Sequence, residues 1–214
     1  MRAASLLAVF ALVSMTAAED AKTVRLSFEG APAGALPRGW KAAKTGTGAG
    51  SVWSIVEDKE APGGKAVAQT SAAGFGSLFN LCLNDEVRFT DLDATFSVKP
   101  VAGKADQGGG FLWRCKDADN YYIARWNPLE DNYRFYKVVD GKRSAPIADA
   151  KIEVPAKRWH TMRIVCQGER VQCYLDGKLY IDEKDATFKD AGKIGFWTKA
   201  DAQTRFANLQ ITGK

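Results

Sequence analysis

The sequence predicts an all-β protein, a sandwich or barrel of antiparallel strands, on three observations. Short runs of alternating apolar and polar residues recur along the chain. Turn-forming clusters separate them, and Asp-Gly at 140–141 and 176–177 gives the strongest hairpin signals. Helical periodicity is nearly absent after residue 18.

The elements follow in order. Residues 1–18 read as a secretory signal peptide: Arg2, an apolar run from Leu6 to Val13, then small residues with cleavage after Ala17 or Ala18. That run is shorter than the roughly 20 residues a membrane-spanning helix needs, and nothing later resembles one. The expectation is an exported protein, secreted or periplasmic and not membrane-spanning, with residues 19–214 forming one domain. Val24, Leu26 and Phe28 begin the alternating pattern. Ala31 to Gly50, rich in Gly, Ala and Pro, reads as a long ordered loop around Trp40. Leu92, Ala94, Phe96 and Val98 mark a further strand, as do Met162, Ile164 and Cys166, and then Val171, Cys173 and Leu175. IGFW around Phe196 and TRFANLQIT near the end supply two more. The turns are DADN at 117–120, NPLEDN at 127–132, QGER at 167–170 and the two Asp-Gly pairs.

Composition narrows the function. The 30 Lys and Arg against 25 Asp and Glu become 29 against 25 once Arg2 is removed, a net charge of +4. No basic cluster is long enough for a nucleic-acid footprint, so the mild basicity suits solubility or attraction to acidic glycans. Cys82, Cys115, Cys166 and Cys173 have no CxxC spacing, and His160 is the single histidine, so no metal site is assigned. Export permits disulfides, and four cysteines allow three connectivities. Cys166 and Cys173 share one hairpin face, where they are either bridged or buried as small hydrophobes.

The stretch 106–138, DQGGGFLWRCKDADNYYIARWNPLEDNYRFYKV, holds the most informative faces. Pairing Trp113 with Ala124 and Trp126 with Tyr133 gives one apolar face: Phe111, Trp113, Cys115, Tyr122, Ala124, Trp126, Tyr133 and Phe135. The opposite face then carries Arg114, Tyr121, Arg125, Arg134 and Tyr136. Planar guanidinium donors beside aromatic rings suit an oligosaccharide or polysaccharide, whose hydroxyls take hydrogen bonds while its C–H faces lie on rings. They also suit an acidic sugar. The alternative is a solvated outer face with Glu130, Asp131 and Asp117 as counter-charges.

The run DQGGG-x-x-WR-x-x-D-x-NYY-x-AR-x-NPLEDN, with LPRGW, RWHTMRI, YLDGK and GKIGFWTKAD on its flanks, resembles exported bacterial domains of the concanavalin A-like lectin/glucanase superfamily. These are grouped with 3-keto-disaccharide hydrolase domains and laminin-G-like jelly rolls. The resemblance covers about Leu26 to Ile211. It implies a concanavalin A-like jelly-roll β-sandwich of two antiparallel sheets, with glycans bound on a concave sheet. Calcium occurs in laminin-G-like relatives, but no ligands for it are assigned here and no other cofactor is expected.

A catalytic constellation is less legible. Glycoside hydrolysis ordinarily uses two carboxyl groups, and the superfamily's E-x-D-x-x-E-like pattern is absent. Asp91 and Asp93 oppose Leu92 and Ala94 and are expected in solvent. Glu130 and Asp131, in the turn closing the Arg/Tyr strands, are the candidate acid and base, or else arginine partners. His160 reads as a histidine hydrogen-bonded at a strand end. Trp197 and Lys199, with Asp201, border the groove in one reading; in the other Trp197 packs in the core beside Trp113. The functional expectation is therefore an exported glycan-binding domain. The alternatives are a glycoside hydrolase acting on 3-keto-disaccharides and a structural cell-envelope module. Oligomeric state is not legible.

Overall fold

The computed structural model describes residues 21–214, so the signal peptide expected over residues 1–18 lies outside the described residues. The strands are β1 (Lys22–Leu26), β2 (Trp40–Thr45), β3 (Trp53–Glu57), β4 (Lys65–Gln69), β5 (Phe79–Phe89), β6 (Leu92–Ala102), β7 (Gly109–Asp117), β8 (Asn120–Asn127), β9 (Asn132–Val139), β10 (Lys142–Arg143), β11 (Ala148–Lys151), β12 (His160–Gln167), β13 (Arg170–Leu175), β14 (Lys178–Lys184), β15 (Gly192–Lys199) and β16 (Gln203–Gly213). They form two antiparallel sheets. The first runs β14-β13-β12-β6-β16-β4-β3, with β1 also on β16; the second runs β10-β9-β8-β7-β15-β5-β2, with β11 also on β9. This is the two-sheet sandwich that the alternation allows and the jelly roll that the resemblance implies.

The core lies between the sheets. Alternate residues of β6 (Leu92, Ala94, Phe96, Val98) and β12 (Met162, Ile164, Cys166) meet Phe111, Trp113, Trp126, Phe135 and Phe196 from the second sheet. Phe196 stacks on Phe206 at 4.5 Å and on Trp40 at 5.3 Å. All four cysteines are buried free thiols. Cys173 pairs across the hairpin with Ile164, and Cys166 with Val171. The sandwich therefore rests on its core, where each fully buried large apolar side chain contributes roughly 1.5–3 kcal/mol.

Two expectations change. Trp40 does not sit in a loop: it opens β2, which pairs with β5 from Trp40↔Asn84 to Thr45↔Phe79. Two alanines in WKAAKT hide the alternation that marks other strands. The β7–β8 register also differs, with Trp113 opposite Tyr122 and Phe111 opposite Ala124. A bulge between Trp113 and Asp117, with Arg114 at φ 46°, inserts residues that the DADN turn does not reveal.

Candidate functional site

That bulge redistributes the predicted face. Beyond it, Cys115 joins the apolar cluster on the outer side of the second sheet. Arg114 leaves that side. It donates to the carbonyls of Thr90 (2.7 Å), Phe188 (2.6 Å) and Gly168 (2.7 Å) and to Asp91 Oδ1 (3.2 Å). These partners belong to three separate connections, so Arg114 ties the end of the sandwich together and does not face the groove. Asp91, expected in solvent, accepts from Arg114 and from the Gly168 N–H (2.8 Å). Asp93 does face solvent, in a bidentate pair with Arg163.

The remaining face is concave because the second sheet curls on itself. Thr45, on the β2 edge, shares a 2.8 Å hydrogen bond with Tyr121 on β8. Trp197 Nε1–H donates to Tyr121 Oη (3.3 Å), and Thr45 Oγ1 donates to the Ala118 carbonyl (2.5 Å). Tyr121 and Trp197 are buried, in a second cluster with Phe79, Leu81, Leu112, Ile123, Tyr136 and Val138. Two site expectations are thereby corrected. Neither Tyr121 nor Trp197 is open to a ligand, because the curled sheet closes over them, and Trp197 packs with Phe79 at 5.2 Å, outside the inter-sheet cluster that holds Trp113.

The lining turns polar at the level where Gly110, Arg125 and Arg134 oppose one another. Arg125 is buried and donates to Glu130 Oε2 (2.8 Å) and Asn132 Oδ1 (2.8 Å). Arg134 reaches Glu130 (3.4 Å) and Asp149 (2.8 Å). Burial alone would raise the Glu130 pKa, but Arg125, Asn132 and Arg134 override it and hold the carboxyl at about 2. Asp131 takes φ 51° in the turn and points into an exposed depression of about 430 Å³ shared with Glu130, Arg134 and Lys151. It is not brought to Arg125.

Two site residues, Asp106 and Arg143, escaped the sequence reading, which places Asp201 at the groove border in one of its alternatives. Asp106 is buried and accepts from Asn127 Nδ2 (2.9 Å) and Lys199 Nζ (2.9 Å). Burial raises its pKa despite the opposing charges of Arg125 and Lys199. Asp201 positions it: that carboxylate accepts the backbone N–H groups of Lys104, Ala105 and Asp106 at 2.7–3.1 Å. The glycines after it explain DQGGG, since a Cβ at Gly108 would stand 2.2 Å from the Trp126 carbonyl and one at Gly110 1.9 Å from the Ala124 carbonyl.

Arg143 is the second. Its guanidinium lies 4.5 Å from the Tyr136 ring centroid and 5.2 Å from that of Phe79, while Arg125 approaches Tyr136 at 5.9 Å. Its Nη1 is buried without a hydrogen-bond partner among the described residues. Burial lowers its pKa. It lines a depression of about 370 Å³ with Ser77, Phe79, Gly141, Lys142 and Ser144. Its signal in the sequence was the GKR that closes the 140–141 turn. His160 lies elsewhere, held between Asp176 (2.7 Å) and the Pro155 carbonyl (3.0 Å) at the start of β12.

Two antiparallel sheets, one of them curled around an arginine-rimmed groove, define a lectin- and glucanase-like jelly roll. The chain belongs to the family of the 3-keto-alpha-glucoside-1,2-lyase-like domain, whose model matches residues 26–212. Over 110 residues it is 31% identical to a levanase of Bacillus subtilis (strain 168), an alignment that takes in 50% of this chain but spans only 16% of the levanase. The carbohydrate-binding module CBM66 from Bacillus subtilis has the same fold: TM-score 0.63, 24% identity, 80% of this chain and 94% of that one. So does domain 4 of an extracellular GH43 arabinanase from Geobacillus stearothermophilus, solved with arabinotriose (TM-score 0.56, 16% identity, 91% and 94% covered). A Bacillus licheniformis β-glucanase also shares it (TM-score 0.58, 12% identity, 90% and 98% covered). Among the described residues no helix is long and apolar enough to cross a membrane.

Proposed function

We propose that this is an exported glycan-binding domain that holds a saccharide at the rim of its curled sheet. One observation carries the reading: the Arg143 guanidinium lies over two aromatic rings beside an open depression, with donor capacity that no group among the described residues uses. Lys199 and Arg134, both partly exposed, add donors at the rim, and Glu130 adds an ionised acceptor for sugar hydroxyls. Arg125 and Tyr136 act beneath them as supports. A carbohydrate-binding module and an arabinotriose-bound domain with the same fold support the reading, as does the partial likeness to a levanase. The test is a glycan array on residues 19–214, followed by calorimetry on each hit with Arg143→Ala. Hits whose affinity falls at least tenfold in the variant support it. Hits unaffected by the variant move the site elsewhere, and an empty array rejects glycan binding.

One observation favours a hydrolase as the second reading. Asp106 and Glu130 flank Arg125 with their pKa values displaced in opposite directions, as an acid and a base would need. Released reducing sugar on array hits decides between the two. Turnover that Asp106→Asn abolishes while binding persists would make the domain an enzyme; binding without turnover leaves it a binder.

A further inference from the structure

The charges at the rim do not balance one to one. Arg125 holds Glu130, Arg134 holds Asp149, and Lys199 holds Asp106. Arg143 feels the fields of Asp106 and Glu130, but both are already engaged by other donors. Asp119, whose carboxylate abuts Gly141 on the neighbouring turn, forms no ion pair with it. Removing a guanidinium from water is costly unless an anion and hydrogen bonds replace the lost solvent. Contacts with the Tyr136 and Phe79 rings offset part of that cost, and leave the in-plane N–H edge without a hydrogen-bond partner among the described residues. That edge is a planar fork matched to two oxygens of one oxyanion. The lining beside it contributes Lys142 as a second cation, with the Ser77 and Ser144 hydroxyls.

We infer that the glycan carries an anionic substituent, a carboxylate or a sulfate ester on the sugar ring, which docks against the free edge of Arg143 with Lys142 beside it. The inference rests on the glycan-binding reading and narrows its ligand class. The oxyanion completes a rim arginine that has no carboxylate partner among the described residues. Neighbouring hydroxyls of the sugar then meet Ser77 and Ser144.

The experiment is calorimetry of the full exported chain with a panel of uronate oligosaccharides, each beside its carboxyl-reduced neutral counterpart. Sulfated and unsulfated forms of one neutral oligosaccharide complete the panel. The acidic member of at least one pair should bind about 10- to 100-fold more tightly than its neutral partner, and the difference should shrink in about 0.5 M salt. Preference within the uronate pairs identifies a carboxylate; preference within the sulfated pair identifies a sulfate ester. Arg143→Gln, with its fold checked by circular dichroism, should erase the preference, and Arg143→Lys should restore part of it. Acidic and neutral members binding alike, or neutral members binding better, would overturn the inference and leave the glycan reading standing. No binding by any member, together with an empty neutral array, would overturn both.

Discussion

The guanidinium of Arg143 lies 4.5 Å from the ring centroid of Tyr136, the same ring that Arg125 approaches at 5.9 Å. Two cations sharing one ring repel each other, so the ring must anchor both. Tyr136 is accordingly a platform and not a stacking surface for sugar, since only 2% of it is exposed. Tyr136→Phe should retain ligand affinity. Tyr136→Leu should weaken it by about 1–2 kcal/mol, roughly five- to thirty-fold, by releasing Arg143. Calorimetry on the best array ligand checks this; equal loss in both variants would instead assign the role to the Tyr136 hydroxyl.

Arg114→Ala should separate folding from binding. Its side chain satisfies three carbonyls and one carboxylate, all contributed by connections at one end of the sandwich. Losing those donors leaves partly buried acceptors unpaired, at a cost of about 3–5 kcal/mol. Urea unfolding should show that loss, while the folded fraction binds its ligand with unchanged affinity. A stable variant with impaired binding would return Arg114 to the groove.

The contrast between these two arginines shows what the sequence made legible. Alternation gave the faces of β8 and β9 correctly, because their Trp126–Tyr133 and Ala124–Phe135 pairs follow the turn at 128–131 without irregularity. It failed at Arg114, where a bulge exchanged the sides of Arg114 and Cys115. A bulge is a backbone event with no residue signature when the left-handed position is not glycine. Alternation was equally silent on curvature. Nothing in the period of two says that Thr45 will reach Tyr121 across the curl, and that contact is what buries Trp197 and Tyr121. Arg143 and Asp106 were missed for another reason: both lie at strand edges, one in a two-residue strand and one in a loop clamped by Asp201.

Glu130 should make the fold acid-sensitive in a defined window. Its folded pKa of about 2 is below the ordinary 4.5, so its contribution is fully present above about pH 4.5 and is lost as pH falls toward 2. Glu130→Gln should lower stability at neutral pH by about 1 kcal/mol, a modest figure because solvent screens the partly exposed pair. It should also flatten the stability profile between those two pH values. Urea midpoints from pH 2 to 7 test both; parallel profiles for the two proteins would mean that Arg125 draws nothing from Glu130.

The cysteines provide the last test, because export would permit bridges that the fold does not make. Cys82, Cys115, Cys166 and Cys173 are all buried and free. Thiol reagents attack the thiolate, and burial pushes the Cys115 thiol up to about 12 and the other three upward as well. A thiol-reactive chromophore should therefore label none of them rapidly in the native protein. In denaturant without reductant it should label all four. Reductant should leave the melting temperature unchanged, since no cross-link constrains the unfolded chain. Two labelled thiols instead of four, with a melting temperature lowered by reductant, would identify a disulfide. The hairpin pair Cys166 and Cys173 would be its first suspects, because Cys173 lies opposite Ile164, two residues from Cys166, and only a shift in the β12–β13 register would bring the two sulfurs together.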